Sequence, residues 1–262
     1  MTQRIAMALE YHGRGLCGWQ RQENGPTVQG HLEEALSHIE GSRVGCVAAG
    51  RTDAGVHAEA MLVHADVSAE RFVRSPRAYT HGVNGMLPDR IRVTGVRSVD
   101  GQFHARFDCR ERAYRYQVWN RNTASALHAW QHWWMPRPLS LDAMREAGGR
   151  LVGKHDFSSF RASGCQAASP VRELRQLEVE RDGFCIAVTV RADAFLYHMV
   201  RNLVGMLVEV GTGRMAVDEV AVLLEGRDRR MAPATAPAHG LYFTDAVYDG
   251  FCSRDLVGTE LP

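Results

Sequence analysis

With 262 residues, 45% of them hydrophobic and 23% charged, the chain can bury the core of one large domain or two moderate ones and has the composition of a soluble globular protein. A formal net charge of +1 gives no electrostatic case for nucleic acid from the total. No apolar run is long enough to span a bilayer, and the opening Met1-Thr2-Gln3-Arg4 lacks a signal-peptide core, so the expected location is cytoplasmic.

The six cysteines stand singly with no C-x-x-C pair, which points to reduced thiols and away from a disulfide framework or a zinc site. Lys154 is the one lysine among 31 basic residues. Arginine binds phosphate with two parallel N–H groups and stacks on bases. A GC-rich genome produces the same excess, so only local clusters of arginine carry information.

Residues 4–11 read as a first strand, followed by a glycine-rich turn at His12-Gly13-Arg14-Gly15. The turn has neither the P-loop spacing with its Lys-Ser/Thr nor a G-x-G-x-x-G fingerprint, so nothing supports Rossmann-type nucleotide binding. Pro26-Thr27 opens a helix with Thr27 as N-cap, and Val28, Leu32, Leu36 and Ile39 form its apolar stripe up to Gly41. A short strand at 44–48, a loop around Asp53 and a strand to about Val67 follow. In the last of these, Met61, Val63 and Ala65 are expected on one face. Strand, helix, strand, strand begins a split βαβ arrangement.

Ser75-Pro76 is expected to start a second helix, which stops before Asn84-Gly85, and 91–96 alternates as a strand. Residues 103–116 interleave Arg106, Arg110, Arg112 and Arg115 with Phe103, Phe107, Tyr114 and Tyr116. That mixture suits a splayed nucleic acid, where arginines meet phosphates and rings stack on bases. It equally suits a solvated strand edge with Arg–Glu pairing. His128 and His132 are four apart, but Ala129 stands where an H-E-x-x-H site needs glutamate and no third ligand is near, so they read as structural. Trp130, Trp133 and Trp134 are expected to pack against a helix from Ser140 to about Leu151. A hairpin turns at Asp182-Gly183.

Asp193 is expected to cap the most hydrophobic helix, with Phe195, Met199, Leu203, Met206, Leu207 and Val210 on its core side. Arg201 lies inside that helix. A guanidinium among Val200, Leu203 and Val204 must reach solvent or meet a partner, because burying it alone is costly. A short helix at 218–224 and a strand at 240–248 complete the pattern. The two halves have comparable layouts, a loose internal duplication.

Of all these stretches, Ala49-Gly50-Arg51-Thr52-Asp53-Ala54-Gly55-Val56-His57 is the most suggestive chemically. Its carboxylate is flanked by glycines that permit φ > 0 and close approach of another molecule. On its own, Asp53 reads first as a turn residue bonded to its own backbone.

Taken together, these segments resemble the tRNA pseudouridine synthase A family. The stretch from Gly50 to His57 resembles that family's catalytic loop. Gly18-Trp19-Gln20-Arg21-Gln22, Phe103-His104-Ala105-Arg106-Phe107, Tyr114-Arg115-Tyr116, Phe157-Ser158-Ser159-Phe160-Arg161 and His198-Met199-Val200-Arg201-Asn202 match its other signatures in order. His12 departs from the pattern, standing where members commonly carry Asp.

The resemblance implies an α/β fold of the α+β type, with two similar lobes sharing a mostly antiparallel sheet and helices on one face. Residues 1–102 would form the lobe with the Asp53 loop, 103–250 the lobe completing the cleft, and 251–262 a flexible tail. It implies a homodimer that binds tRNA and converts uridine to pseudouridine at positions 38, 39 and 40 of the anticodon arm. Asp53 would be the nucleophile and Arg201 its cation, a neighbouring cation favouring the ionised carboxylate. Tyr114 would contact the target uracil. Arg51, close to Asp53 in sequence, would fill the vacated space or hold the backbone, and Arg106, Arg110 and Arg112 are candidates for phosphate contacts. Because the isomerisation loses no group and changes no oxidation state, no cofactor or metal is expected. Two rival readings are a non-catalytic RNA-binding module and a carboxylate-dependent nucleoside or glycoside hydrolase; the latter would want a second acid near the first.

Overall fold

In the computed structural model, which describes residues 1–259, the chain begins β1 (Thr2–Tyr11), α1 (Val28–Glu40), β2 (Cys46–Ala48), β3 (His57–Ser68), α2 (Ala69–Arg74), α3 (His81–Met86), β4 (Ile91–Ser98). It continues β5 (Glu111–Asn120), β6 (Trp133–Met135), α4 (Leu141–Gly149), β7 (Gly153–Asp156), β8 (Val171–Asp182), β9 (Cys185–Ala192), α5 (Met199–Gly211), α6 (Glu219–Gly226), β10 (Leu241–Tyr248), β11 (Phe251–Cys252). There are two compact units: Met1–Arg110 with Phe243–Pro262, and Glu111–Tyr242. Of the stretch expected as a tail, residues 260–262 lie outside the described residues.

The first unit is a sheet ordered β4-β1-β3-β10, with β2 added on β3 and β11 on β10. β1 runs antiparallel to both β3 and β4, and β2 antiparallel to β3. α1 forms because Thr27 accepts the Gly30 N–H at 3.1 Å and Gly41 closes the helix in the left-handed region. It buries Val28, Leu32, Ala35 and Leu36, each large side chain contributing about 1.5–3 kcal/mol of burial. Polar bonds then fix where β2 lies: Glu33 Oε1 accepts the Cys46 N–H at 3.1 Å, and Ser37 Oγ accepts the Val44 N–H at 2.9 Å.

Met61, Val63 and Ala65 share one face of β3 as expected, but the opposite face is buried too, with Leu62 and His64. The sheet is covered on both faces. Opposite the helices, the 103–109 segment closes over His64, whose Nδ1 accepts the Ala105 N–H at 3.0 Å. Residues 253–258 pack there too: Leu256 is buried, Gly258 N–H bonds Thr94 O at 2.9 Å, and Ser253 donates to Asp245 at 2.8 Å. Ser75-Pro76 opens a single 3₁₀ turn (Pro76–Tyr79) instead of a helix, and the α-helix capped by Ser68 (α2) precedes it.

The second unit is a sheet ordered β5-β9-β8-β7, antiparallel throughout, with β6 parallel to β5. The expected hairpin is present, turning at Gly183 with φ +56°. α4 and α5 cover this sheet. The cap of α5 differs from expectation: His198, at φ 59°, precedes its first turn, because the Asp193 carboxylate is taken by the Glu173 and Ala194 N–H groups at 3.0 and 2.7 Å. The tryptophans differ too: Trp133 and Trp134 belong to β6, and Trp130 is half-exposed beside His239. Strands with helices, mostly antiparallel, are the α+β architecture expected from the sequence.

Candidate active site

Asp53 occupies the loop between β2 and β3, as the sequence predicts. Its neighbours anchor that loop. Ala49, Thr52, Val56 and His57 are buried, while Asp53 is partly exposed and Arg51 exposed. The Val56 N–H closes a turn onto Asp53 O at 3.1 Å, with Gly55 at φ +82° supplying the left-handed step. Ala49 N–H reaches Leu62 O at 2.8 Å, pinning the other end.

The glycine-rich turn after β1, which the sequence offers only as a failed phosphate loop, turns out to be the support for this carboxylate. Trp19 N–H donates to Thr52 O at 3.0 Å, and the Tyr11 and Thr52 hydroxyls share a buried 2.8 Å hydrogen bond. Gly13 N–H donates to His57 Nδ1 at 3.0 Å, so that nitrogen carries no proton. At Gly18, φ is +86°, and a β-carbon would lie 2.6 Å from Thr52 O and 3.0 Å from Asp53 C. Gly13 has the same relation to the Val56 carbonyl. The spacing of Gly13 and Gly18 around a buried Trp19 was the available signal, and it reports close main-chain packing rather than phosphate. His12 stacks obliquely on His57 at 4.4 Å; burial, then Arg90 and Arg14, lower its pKa.

The second unit carries Tyr114 and Arg201 on elements that pack together, β5 and α5. Tyr114 is buried opposite Val190, its ring edge-on to Phe195 at 5.0 Å and 86°. Arg201 is partly exposed, and its Nε donates to Ala236 O at 2.8 Å. The same segment is held by Ala236 N–H on Arg201 O at 3.1 Å and by Tyr116 Oη on Pro237 O at 2.7 Å. Gly205, one turn along α5, leaves room for the Ala234 carbonyl. The arginine's head is thus oriented by main chain.

The basic-aromatic stretch divides between roles. Arg110 forms an ion pair with Asp249 at 2.8 Å, and Arg112 bonds the Asp193 carbonyl at 2.8 Å. Arg106 is exposed, 5.7 Å from the centre of the Phe107 ring, which is itself 76% exposed and stacked on His104. His128 and His132 lie 5.1 Å apart with Trp119 against both, outside any helix. Burial lowers the His132 pKa to about 4. Among the described residues, no group of three or more His, Cys, Asp or Glu is placed to hold a metal ion.

A model of the family described as tRNA pseudouridine synthase matches residues 7–108 and 147–249. The chain is 47% identical to the tRNA pseudouridine synthase A of Methylobacillus flagellatus, covering 98% of this chain and 97% of that protein. It is 49% identical to the protein of the same name from Rhodospirillum centenum, over 94% of this chain and 100% of the other. The Hydrogenovibrio crunogenus protein of that name is 46% identical over 93% and 92%.

Proposed function

The chain belongs to the tRNA pseudouridine synthase A family, and on that premise we propose that it is an isomerase converting uridine to pseudouridine in tRNA, with Asp53 as nucleophile. The observation that carries the reading is the mounting of Asp53: a partly exposed carboxylate on a loop in which Thr52, Val56 and His57 are buried, with Thr52 bonded to Tyr11 and Trp19 and His57 to Gly13. Such support holds a reactive group in one geometry before substrate arrives.

The C1′–N1 bond of the target uridine breaks, the uracil turns, and a C1′–C5 bond forms. N1 gains a proton and C5 loses one, so atoms and oxidation state balance without a cofactor. Three first steps suit a carboxylate: attack on C1′, attack on C6, or removal of the 2′ proton. Arg201 would balance the carboxylate's charge in the catalytic complex. Tyr114 would stack on the uracil, its hydroxyl assisting removal of the C5 proton. A base inside a stem is out of reach, so the nucleotide is flipped out. Arg51 would occupy the vacated space, and Arg106 would contact phosphate.

Three further parts of the proposal rest on family membership: action at positions 38, 39 and 40 of the anticodon arm, a homodimer, and a cytoplasmic location. Among the described residues, no helix is long and apolar enough to cross a membrane.

The test is to incubate Asp53→Asn and Asp53→Ala with a tRNA transcript. Both should bind the RNA and form no pseudouridine. Appreciable residual pseudouridine would remove Asp53 as nucleophile. Release of free uracil by the wild type would favour the hydrolase, and tight binding without any product the RNA-binding module.

A further inference from the structure

In the second unit, the loop following β7 and the segment following α6 enclose an open pocket of about 720 Å³ that plays no part in the mechanism above. Arg161, Cys165, His198, Arg229, Arg230 and Thr235 are among its lining residues. Arg230 is already matched, since it chelates both carboxylate oxygens of Asp228 at 2.6–3.0 Å. Arg161 and Arg229 are not. Arg161 Nη2 donates to the Cys165 and Ala167 carbonyls, both at 2.8 Å. Arg229 donates to Ala232 O at 2.9 Å, Asn202 Oδ1 at 3.1 Å and Thr235 Oγ1 at 3.0 Å.

All five acceptors are neutral. Neither guanidinium forms an ion pair with a carboxylate among the described residues, although both are partly buried and burial lowers the Arg229 pKa. Holding two partly buried cations at one pocket without a counter-ion is unfavourable unless an anion completes the group. Guanidinium is the side chain best matched to phosphate, through paired N–H donors.

The neighbour of this pocket narrows the choice of anion. Tyr197 is 45% exposed, and its ring lies on His198 at 4.0 Å and 32°. An exposed ring backed by an imidazole is a platform on which a base stacks. We propose that this pocket binds a backbone phosphate of the RNA, with the adjoining base on Tyr197. The inference rests on the RNA-modifying function proposed above and adds a second attachment point to it.

Cys165 reports on occupancy. Its Sγ accepts the Tyr197 N–H at 3.4 Å. Against burial, which raises its pKa, the Tyr197 and Ala167 N–H groups and Arg161 bring the thiol below its usual value. The experiment therefore has two arms. In the first, binding of a tRNA transcript is measured against salt for the wild type, Arg161→Gln, Arg229→Gln and the double variant, with circular dichroism as the check on folding. Each removed phosphate contact should lower the slope of log affinity against log salt by about 1. In the second, iodoacetamide labelling of Cys165 in the unaltered protein is followed by peptide mapping, with transcript, with inorganic phosphate at matched ionic strength, or with neither.

Transcript should slow labelling at least tenfold, and phosphate much less. Unchanged labelling of Cys165 in wild-type protein that binds and modifies the RNA would overturn the pocket while leaving the proposed function standing. Equal protection by phosphate and transcript, or an unchanged slope in folded variants, would also overturn it, as a site for a free anion only. A wild type that binds no tRNA would overturn the proposed function and the pocket together.

Discussion

Gly18 lies directly against the main chain of Thr52. A β-carbon at Gly18 would come within 2.6 Å of the Thr52 carbonyl oxygen, and its φ of +86° is itself a left-handed conformation. The contact joins the turn after the first strand to the loop that carries Asp53. The position of the Asp53 carboxylate therefore depends on the absence of a side chain 35 residues earlier.

Gly18→Ala should lose stability through the left-handed backbone, about 1–2 kcal/mol, and more through the clash with main chain that cannot swing aside. Gly41→Ala is the control: it shares the left-handed conformation, φ +66°, but no atom lies within 4 Å of its would-be β-carbon. Urea denaturation with pseudouridine assays should show both variants destabilised but turnover lost only in Gly18→Ala. Equal turnover in the two would mean that Gly18 does not position the loop.

The Tyr11–Thr52 hydrogen bond is buried and ties the end of β1 to the loop that carries Asp53. Tyr11→Phe and Thr52→Val should each destabilise by about 1 kcal/mol. In a double-mutant cycle their coupling should be about 0.5–1.5 kcal/mol. Turnover should fall in both single variants with RNA affinity retained. A coupling of zero would show that the two hydroxyls act independently.

His64 is buried beneath the 103–109 segment, and burial, then Arg4 and His104, lower its pKa to about 4, with Asp66 and Asp108 opposing. The unfolded chain takes up this proton near pH 6.5 and the folded one does not until about pH 4. Stability from neutral His64 is therefore complete above pH 6.5 and is lost as pH falls towards 4, by at most about 1.4 kcal/mol per pH unit. His64→Asn keeps an acceptor for the Ala105 N–H but cannot titrate. Urea midpoints between pH 7.5 and 4 should fall more steeply for the wild type; parallel curves would contradict the neutral histidine.

Tyr114 is held by Phe195 edge-on at 5.0 Å, so replacing Tyr by Phe should leave the ring where it is. Tyr114→Phe should bind RNA normally and lose about 10²-fold in turnover, the usual effect of removing one proton-transfer partner. Tyr114→Ala should lose affinity as well. Near-normal rates in Tyr114→Phe would confine Tyr114 to stacking.

The sequence by itself located most of the elements, because their signals are local: Thr27 and Gly41 bracket α1, Gly183 turns a hairpin, and an apolar stripe marks α5. It also singled out Asp53, through the short glycine-flanked loop and its order among other motifs. Local signals failed where a distant partner decided the outcome. Asp193 has the right side chain for a helix cap, but β8 takes its carboxylate. Both faces of β3 are buried because segments far along the chain cover the second face of its sheet. The glycine-rich turn at 12–18 had no legible purpose, since its meaning lies in main-chain contacts with residues 52–56. Arginines 161 and 229, 68 positions apart, became a pair only when the fold brought both to one pocket without a carboxylate between them. Propensity and capping act over a few residues and can be read along the chain, whereas burial, close main-chain approach and unmatched charge are set by neighbours that only the tertiary structure supplies.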